Sequence, residues 1–347
     1  MRTVILMSML LLLALPAVCD VDFQWEQGPE MPSGRDHLGC GMVNGLFVVA
    51  GGAYWKDGKK CYNSETIAYS PATGKWIRLP HLPRPGAYGA SAVMCDRPGN
   101  DQLLIAGGAN ADGATSACYR LMKLKGVYIW KALPDLPRPL AGAEGAVVGN
   151  KFYVFGGAPG MDEAGIRSAR PTLFELEVPS GVGINARWRE LSVPGAPSGR
   201  VGSAVAASDG RLFVFGGYGV RPDGTLGNFS DAYTVDLSRR IGRTWTRIKD
   251  TPIASRWTTA LGLNERHIGL FGGYADGPAK GFLDKVYIYD AEQDVYKEAT
   301  TLPQPLANIA GGIGKDMTVY LAGGEDMERH RSASLVLGRP RTTDRAE

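Results

Sequence analysis

Histidine and cysteine are scarce in this 347-residue chain, which has four of the first and five of the second. His37, His81, His267 and His330 are scattered, and no two cysteines form a Cys-x-x-Cys pair. The spacings that hold a structural zinc ion are therefore missing, and no metal site is expected. An excess of one charge is missing too: 38 basic residues face 35 acidic ones, a formal net charge of +3. That balance gives no reason to expect nucleic acid or an anionic membrane as a partner. Beyond the N-terminus no stretch is apolar for about 18 positions in a row, so no membrane span is expected. With 44% hydrophobic and 21% charged residues, wholesale disorder is excluded.

Residues 1–19, MRTVILMSMLLLLALPAVC, read as an export signal. Arg2 supplies the positive start, residues 4–15 an apolar stretch too short to span a bilayer, and Ala17 and Cys19 the small residues before a cleavage at Asp20. Lipid attachment at Cys19 is the rival reading, which Leu15-Pro16-Ala17-Val18 fits poorly. The mature chain is expected in the periplasm or secreted. There Cys40, Cys61, Cys95 and Cys118 are free to form disulfides in any of three pairings, or to pack as small apolar residues; both readings stand.

Glycine is abundant: 47 residues, with 22 prolines. Six glycine pairs each end a short apolar run: LFVVAGG at Gly52, LLIAGG at Gly108, FYVFGG at Gly157, LFVFGG at Gly217, IGLFGG at Gly273 and VYLAGG at Gly324. They recur at intervals of about 50 to 60 residues, the period of a repeat architecture. Each apolar run reads as a buried strand with a sharp glycine exit. A second strand follows each pair: 66–70, 117–123, 173–178, 232–237, 286–290 and 334–338. An aromatic comes next in five units (Trp76, Trp130, Trp188, Trp245 and Tyr296), then a proline-marked turn and a Gly/Ala-rich strand.

This grammar resembles the kelch repeat, which implies an all-β, six-bladed kelch-type β-propeller over residues 20–338. The sixth unit lacks its aromatic strand, while Trp25 in FQWEQGPEMP stands alone at the other end. The N-terminal strand is therefore expected to complete the last blade. Residues 339–347, RPRTTDRAE, are polar and read as a tail.

Antiparallel order puts the loops after the glycine pairs on the same face as the starts of the inner strands. Arg35, Arg84, Arg138, Arg200 and Arg256 are expected there, as candidate anion ligands or as braces between blades. The last of these loops is the shortest, Gly324-Glu325-Asp326-Met327-Glu328-Arg329-His330-Arg331. It holds Glu325 and Arg331 near the channel mouth, either as a proton-transferring pair or as an ion pair bracing the loop.

A Gly-Glu pair followed at this spacing by Arg is similar to the motif of the bacterial N-acetylneuraminate epimerases, or sialic acid mutarotases. GKKCYNSETIAY (58–69), LPRPGAYG (82–89), LPRPLAGAEGAVVGNKFYVFGG (136–157) and FSDAYTVD (229–236) add local likeness to its cyclically permuted branch. The resemblance implies anomer interconversion of free sialic acid or a related small acid sugar, without metal or organic cofactor. Glu325 would move the proton, and Arg331 would bind the substrate carboxylate or keep Glu325 ionised. Arg35, Arg200 and Asn228 would contact the substrate. The alternative is a non-catalytic extracellular glycan- or protein-binding propeller. A copper oxidase on the same scaffold is disfavoured, because only His37 and His330 share the site face.

Overall fold

A computed structural model of the chain describes residues 21–95, 97, 99–178, 186–239, 241–277 and 280–341. The leader, residues 1–19, and the tail from residue 342 onwards lie outside the described residues. The described chain is all-β, built of antiparallel four-stranded sheets, with one short helix at Glu163–Arg167.

From inner to outer strand, the first sheet holds Gly39–Val43, Leu46–Ala50, Thr66–Ser70 and Lys75–Leu79. The second holds Ala90–Cys95, Asp101–Ala106, Cys118–Leu124 and Val127–Leu133, and the third Ala141–Val148, Lys151–Ala158, Leu173–Glu177 and Trp188–Leu191. The fourth holds Ala204–Ser208, Arg211–Phe215, Ala232–Asp236 and Thr246–Ile248, and the fifth Thr259–Gly262, His267–Phe271, Val286–Asp290 and Val295–Glu298. The remaining sheet joins Ala310–Ile313, Val319–Ala322 and Leu335–Pro340 to the N-terminal strand Phe23–Gln27, in register from Phe23–Pro340 to Gln27–Val336. Its third strand runs two residues past Gly338, where the sequence reading ends the repeats, because Pro340 and Arg339 still pair with Phe23 and Gln24.

The core is divided into layers between neighbouring sheets. Residues of the second strand alternate between its two faces. Phe47 and Val49 therefore pack with Tyr320 and Leu335 of the last sheet, while Val48 and Ala50 pack with Leu103 and Ile105 of the second. The inner strands lie side by side, Gly39–Val43 between Ala90–Cys95 and Ala310–Ile313. Small residues there answer crowding: a Cβ on Gly262 would sit 2.4 Å from the Ala207 carbonyl oxygen of the neighbouring sheet.

Two repeated hydrogen bonds join the sheets. Both glycines of all six pairs have positive φ, from 53° to 114°, which L side chains rarely adopt. That turn aims the second glycine's N–H at the next unit: Gly52 donates to Gly86 O, Gly108 to Leu140 O, Gly217 to Ser255 O, Gly273 to Leu306 O and Gly324 to Arg35 O. On the outer strands the aromatics reach back to the preceding proline turn. Trp76 Nε1 donates to Pro29 O, Trp130 to Pro80 O, Trp188 to Pro134 O and Trp25 to Thr300 O, all at 2.8–2.9 Å, and Tyr296 OH donates to Lys249 O.

Cys40, Cys61 and Cys118 are free thiols. Burial pushes the thiols of Cys40 and Cys118 up, to about 11 and about 12. They pack as small uncharged groups.

Trp25→Phe keeps the ring and removes the bond to Thr300 O. Urea denaturation should show a loss of about 1 kcal/mol. An unchanged midpoint would mean that this contact is not holding the terminal strand.

Candidate functional site

One residue of each repeat, at or just before the start of its inner strand, is held in the left-handed region. They are His37 (φ 50°), Tyr88 (63°), Gly142 (69°), Gly202 (61°), Trp257 (57°) and Asn308 (56°). Their backbones form a chain of five hydrogen bonds, N–H to the preceding unit's carbonyl: Tyr88 to His37, Gly142 to Tyr88, Gly202 to Gly142, Trp257 to Gly202 and Asn308 to Trp257. Four of the six are not glycine, and left-handed backbone at such residues costs about 1–3 kcal/mol each.

Those side chains pack into a floor between two cavities. A Cβ on Gly202 would lie 2.7 Å from the Trp257 ring, and one on Gly142 would lie 3.2 Å from its Cη2. The two glycines thus leave the bed in which the indole rests. His37 packs 3.8 Å from the Tyr88 ring centroid and 4.6 Å from that of Trp257. On one side of this floor lies a mouth cavity of about 530 Å³, and on the other a channel cavity of about 390 Å³. His37, Tyr88, Trp257 and Asn308 line both.

The loop 324–331 is folded tightly over the mouth. Glu325 and Ala307 exchange both backbone bonds, Ser332 N donates to Gly324 O, and Asp326 holds His330. Glu325 and Arg331 are brought together: Arg331 Nη1 donates to Glu325 Oε1 at 2.9 Å. Arg331 Nε also lies 2.5 Å from Oδ2 of the fully buried Asp36, whose Oδ1 is 3.1 Å from His37 Nδ1. Beside them Lys60 Nζ donates to Tyr88 OH at 2.5 Å and sits over the Trp55 ring.

Burial pushes the Glu325 carboxyl above its ordinary range, Arg331 draws it back, and Asp36 raises it again. Burial lowers His37 despite Asp36, so its imidazole is neutral at pH 7. Burial likewise lowers Lys60.

Arg35 and Arg200 do not reach the cavity. Both are fully buried. Arg35 donates to Gly51 O, Glu65 O and the Glu65 carboxylate. Arg200 donates to Gly216 O, to Ser198 O and through both Nη atoms to the Asp231 carboxylate, 2.6 Å away at the nearer oxygen, under the Phe229 ring. Each braces its own glycine pair to the acid that precedes the third strand. Asn228 is buried behind Arg256: its amide NH₂ donates to Tyr274 O and Ala254 O, and its Oδ1 accepts from Arg256 Nη1 at 2.8 Å. Arg138 forms a fork with Glu190 and lies on the Phe174 ring.

The sequence places His37 on the site face but gives no role to Asp36, Lys60, Tyr88, Trp257 or Glu144. Trp257 follows Arg256 at a position that superposing the repeats would have shown to hold glycine in two units and a larger residue in four. Glu144 stands alone in the channel cavity, where burial pushes its carboxyl up to about 8.

The KLHDC2/KLHL20/DRC7 kelch-repeats domain model matches residues 142–338. The chain is similar to Kelch-like protein terF of Aspergillus terreus, 25% identical over 252 residues that cover 68% of this chain and 49% of that protein. It is similar to Kelch-like protein 36 of Bos taurus, at 23% over 295 residues, 84% of this chain and 44% of that protein. The human Kelch domain-containing protein 10 matches at 26% over 298 residues, 76% of this chain and 61% of that protein. The chain thus spans about half the length of the curated relatives it matches.

Two outcomes follow from the floor and the channel. Gly202→Ala puts a methyl against the Trp257 ring at positive φ, and thermal unfolding should show a loss of about 2 kcal/mol or more. Glu144 takes up its proton at about 8 when folded against 4.5 as the ordinary value. Between those pH values the unfolded chain releases a proton that the folded one keeps, so stability falls as pH rises and levels off past about 8. Glu144→Gln should lack that slope in melts taken from pH 4 to 9.

Proposed function

The chain belongs to the kelch-repeat family that this domain model describes, and we propose that its six sheets form a closed six-bladed propeller that works, after export by the 1–19 leader, as a non-catalytic binding module for a glycan or protein segment. The observation that carries this reading is the mouth cavity of about 530 Å³. That size suits a small-molecule group, and loops on a rigid scaffold are where recognition concentrates. Its walls combine the rings of Trp55, Tyr88, Trp257, Tyr274 and Phe282 with Lys60, Arg256 and Arg331. Aromatic faces with a few fixed charges bind amphipathic ligands at little entropic cost. The Glu325–Arg331–Asp36 bridge, closed on itself, then serves to hold the last loop against the mouth.

A second reading, mutarotation of N-acetylneuraminate or a related acid sugar, is favoured by one observation. Glu325 faces this cavity about one-fifth exposed, and burial raises its carboxyl above its ordinary range, the direction that a proton-transferring group needs. The Glu325 carboxylate would take the anomeric hydroxyl proton as the ring C–O bond breaks. Protonated Glu325 would pass that proton to the ring oxygen, giving the open ketone; on closure it would take the proton back from that hydroxyl as it attacks the other face and return it to the carbonyl oxygen.

Calorimetry with N-acetylneuraminate, and proton NMR of its freshly released α-anomer, separate the two. The binding reading expects heat of binding and equilibration no faster than in buffer. Acceleration that Glu325→Gln lowers by about 10²–10⁴-fold would establish the mutarotase instead. Absence of both signals removes acid sugars as the ligand.

A further inference from the structure

Two partly exposed arginines line the mouth cavity: Arg329, 62% exposed on the Trp55 ring, and Arg256, which is held far more firmly. Arg35 and Arg200 are fully buried, and Arg331, with a side chain only 5% exposed, is held by two carboxylates. Arg256 lines the mouth cavity with its side chain 22% exposed. Its contacts with Asn228 Oδ1, at 2.8 Å, and Asp276, at 3.2 and 3.4 Å, all use Nη1. Nε and Nη2 have no partner among the described residues.

The group is also rigid. Its plane lies 4.5 Å from the Tyr218 ring centroid and 4.6 Å from that of Tyr274, a cation held between two aromatic faces. Asn228 fixes its rotation, because the two backbone carbonyls that take the amide NH₂ leave only Oδ1 for the guanidinium. An arginine fork held in place with two donors open to a cavity matches a carboxylate.

We propose that Arg256 is the anion-binding residue of the mouth, taking the carboxylate of a small acidic sugar through Nε and Nη2, while Arg331 serves only the internal bridge. This rests on the mouth cavity being the binding site. Asn228 is then a positioning residue rather than a ligand contact. A sugar is favoured over a peptide terminus because the cavity is compact and the partly exposed Trp257 indole in its floor presents an apolar ring to a pyranose.

The fork is tested first on the wild-type protein by titrating acetate and following the arginine Nε–H signals, assigned with Arg256→Gln. The Arg256 signal should shift and saturate; no shift overturns the proposal whatever the natural ligand. Calorimetry then compares N-acetylneuraminate with its methyl ester, which lacks the charge. Wild type should prefer the acid by about tenfold or more, Arg256→Gln should lose that preference, and Arg138→Gln, away from the mouth cavity, should keep it. Retained preference in a folded Arg256→Gln protein overturns the proposal. If acetate moves Arg256 but neither sugar binds, the fork stands and the acid-sugar class is wrong. A peptide carboxylate binding in place of the sugars overturns the choice of source.

Discussion

The positive-φ glycine pair at the end of each buried strand is the constraint on which the rest depends. Each pair turns the chain sharply enough that the second N–H meets a carbonyl of the next unit. Five of these inter-sheet bonds are recorded, including Gly324 to Arg35, which joins the last sheet to the first. A side chain there would be strained by φ and would also strike the next unit: a Cβ on Gly107 would lie 2.6 Å from Leu140 O. Sheet spacing is thereby set at the inner end. The outer aromatics set it at the periphery by donating to the preceding turn.

With both ends fixed, the residue at or just before the start of each inner strand is forced into the left-handed region and its peptide into the five-bond chain around the mouth. Glycine at all six positions would leave no side chains to form the floor between the cavities. Four large residues stand there instead, against the local conformational preference, and two glycines receive the indole of Trp257. Strain of this kind persists where surrounding structure over-determines it, and here it closes the floor of a cavity.

The electrostatics of the mouth follow from the same crowding. Asp36 and Arg331 are buried deeply enough that neither would be tolerated without the other. Their mutual neutralisation leaves Glu325 half-used, its carboxyl raised by burial and pulled back by Arg331. It also takes Arg331 out of contention as an open anion ligand. Arg256, stacked between tyrosines one sheet away, keeps donors to spare.

The repeat, its glycine pairs, the buried second strands and the closeness of Glu325 to Arg331 were determined by the sequence itself. They are local properties: an apolar run, a conformation only glycine favours, and a loop too short to separate its ends. Which arginines face the mouth was not legible. Arg35 and Arg200 stand two residues before the left-handed position and Arg256 stands one before it. A one-residue shift in an extended segment turns a side chain to the opposite face. The first two are thus sent inward to Glu65 and Asp231, and the third to the cavity. The ion bridge through Asp36 and the bed for Trp257 on Gly142 and Gly202 join residues from different sheets. Only tertiary structure decided them, because their partners meet when the sheets pack side by side.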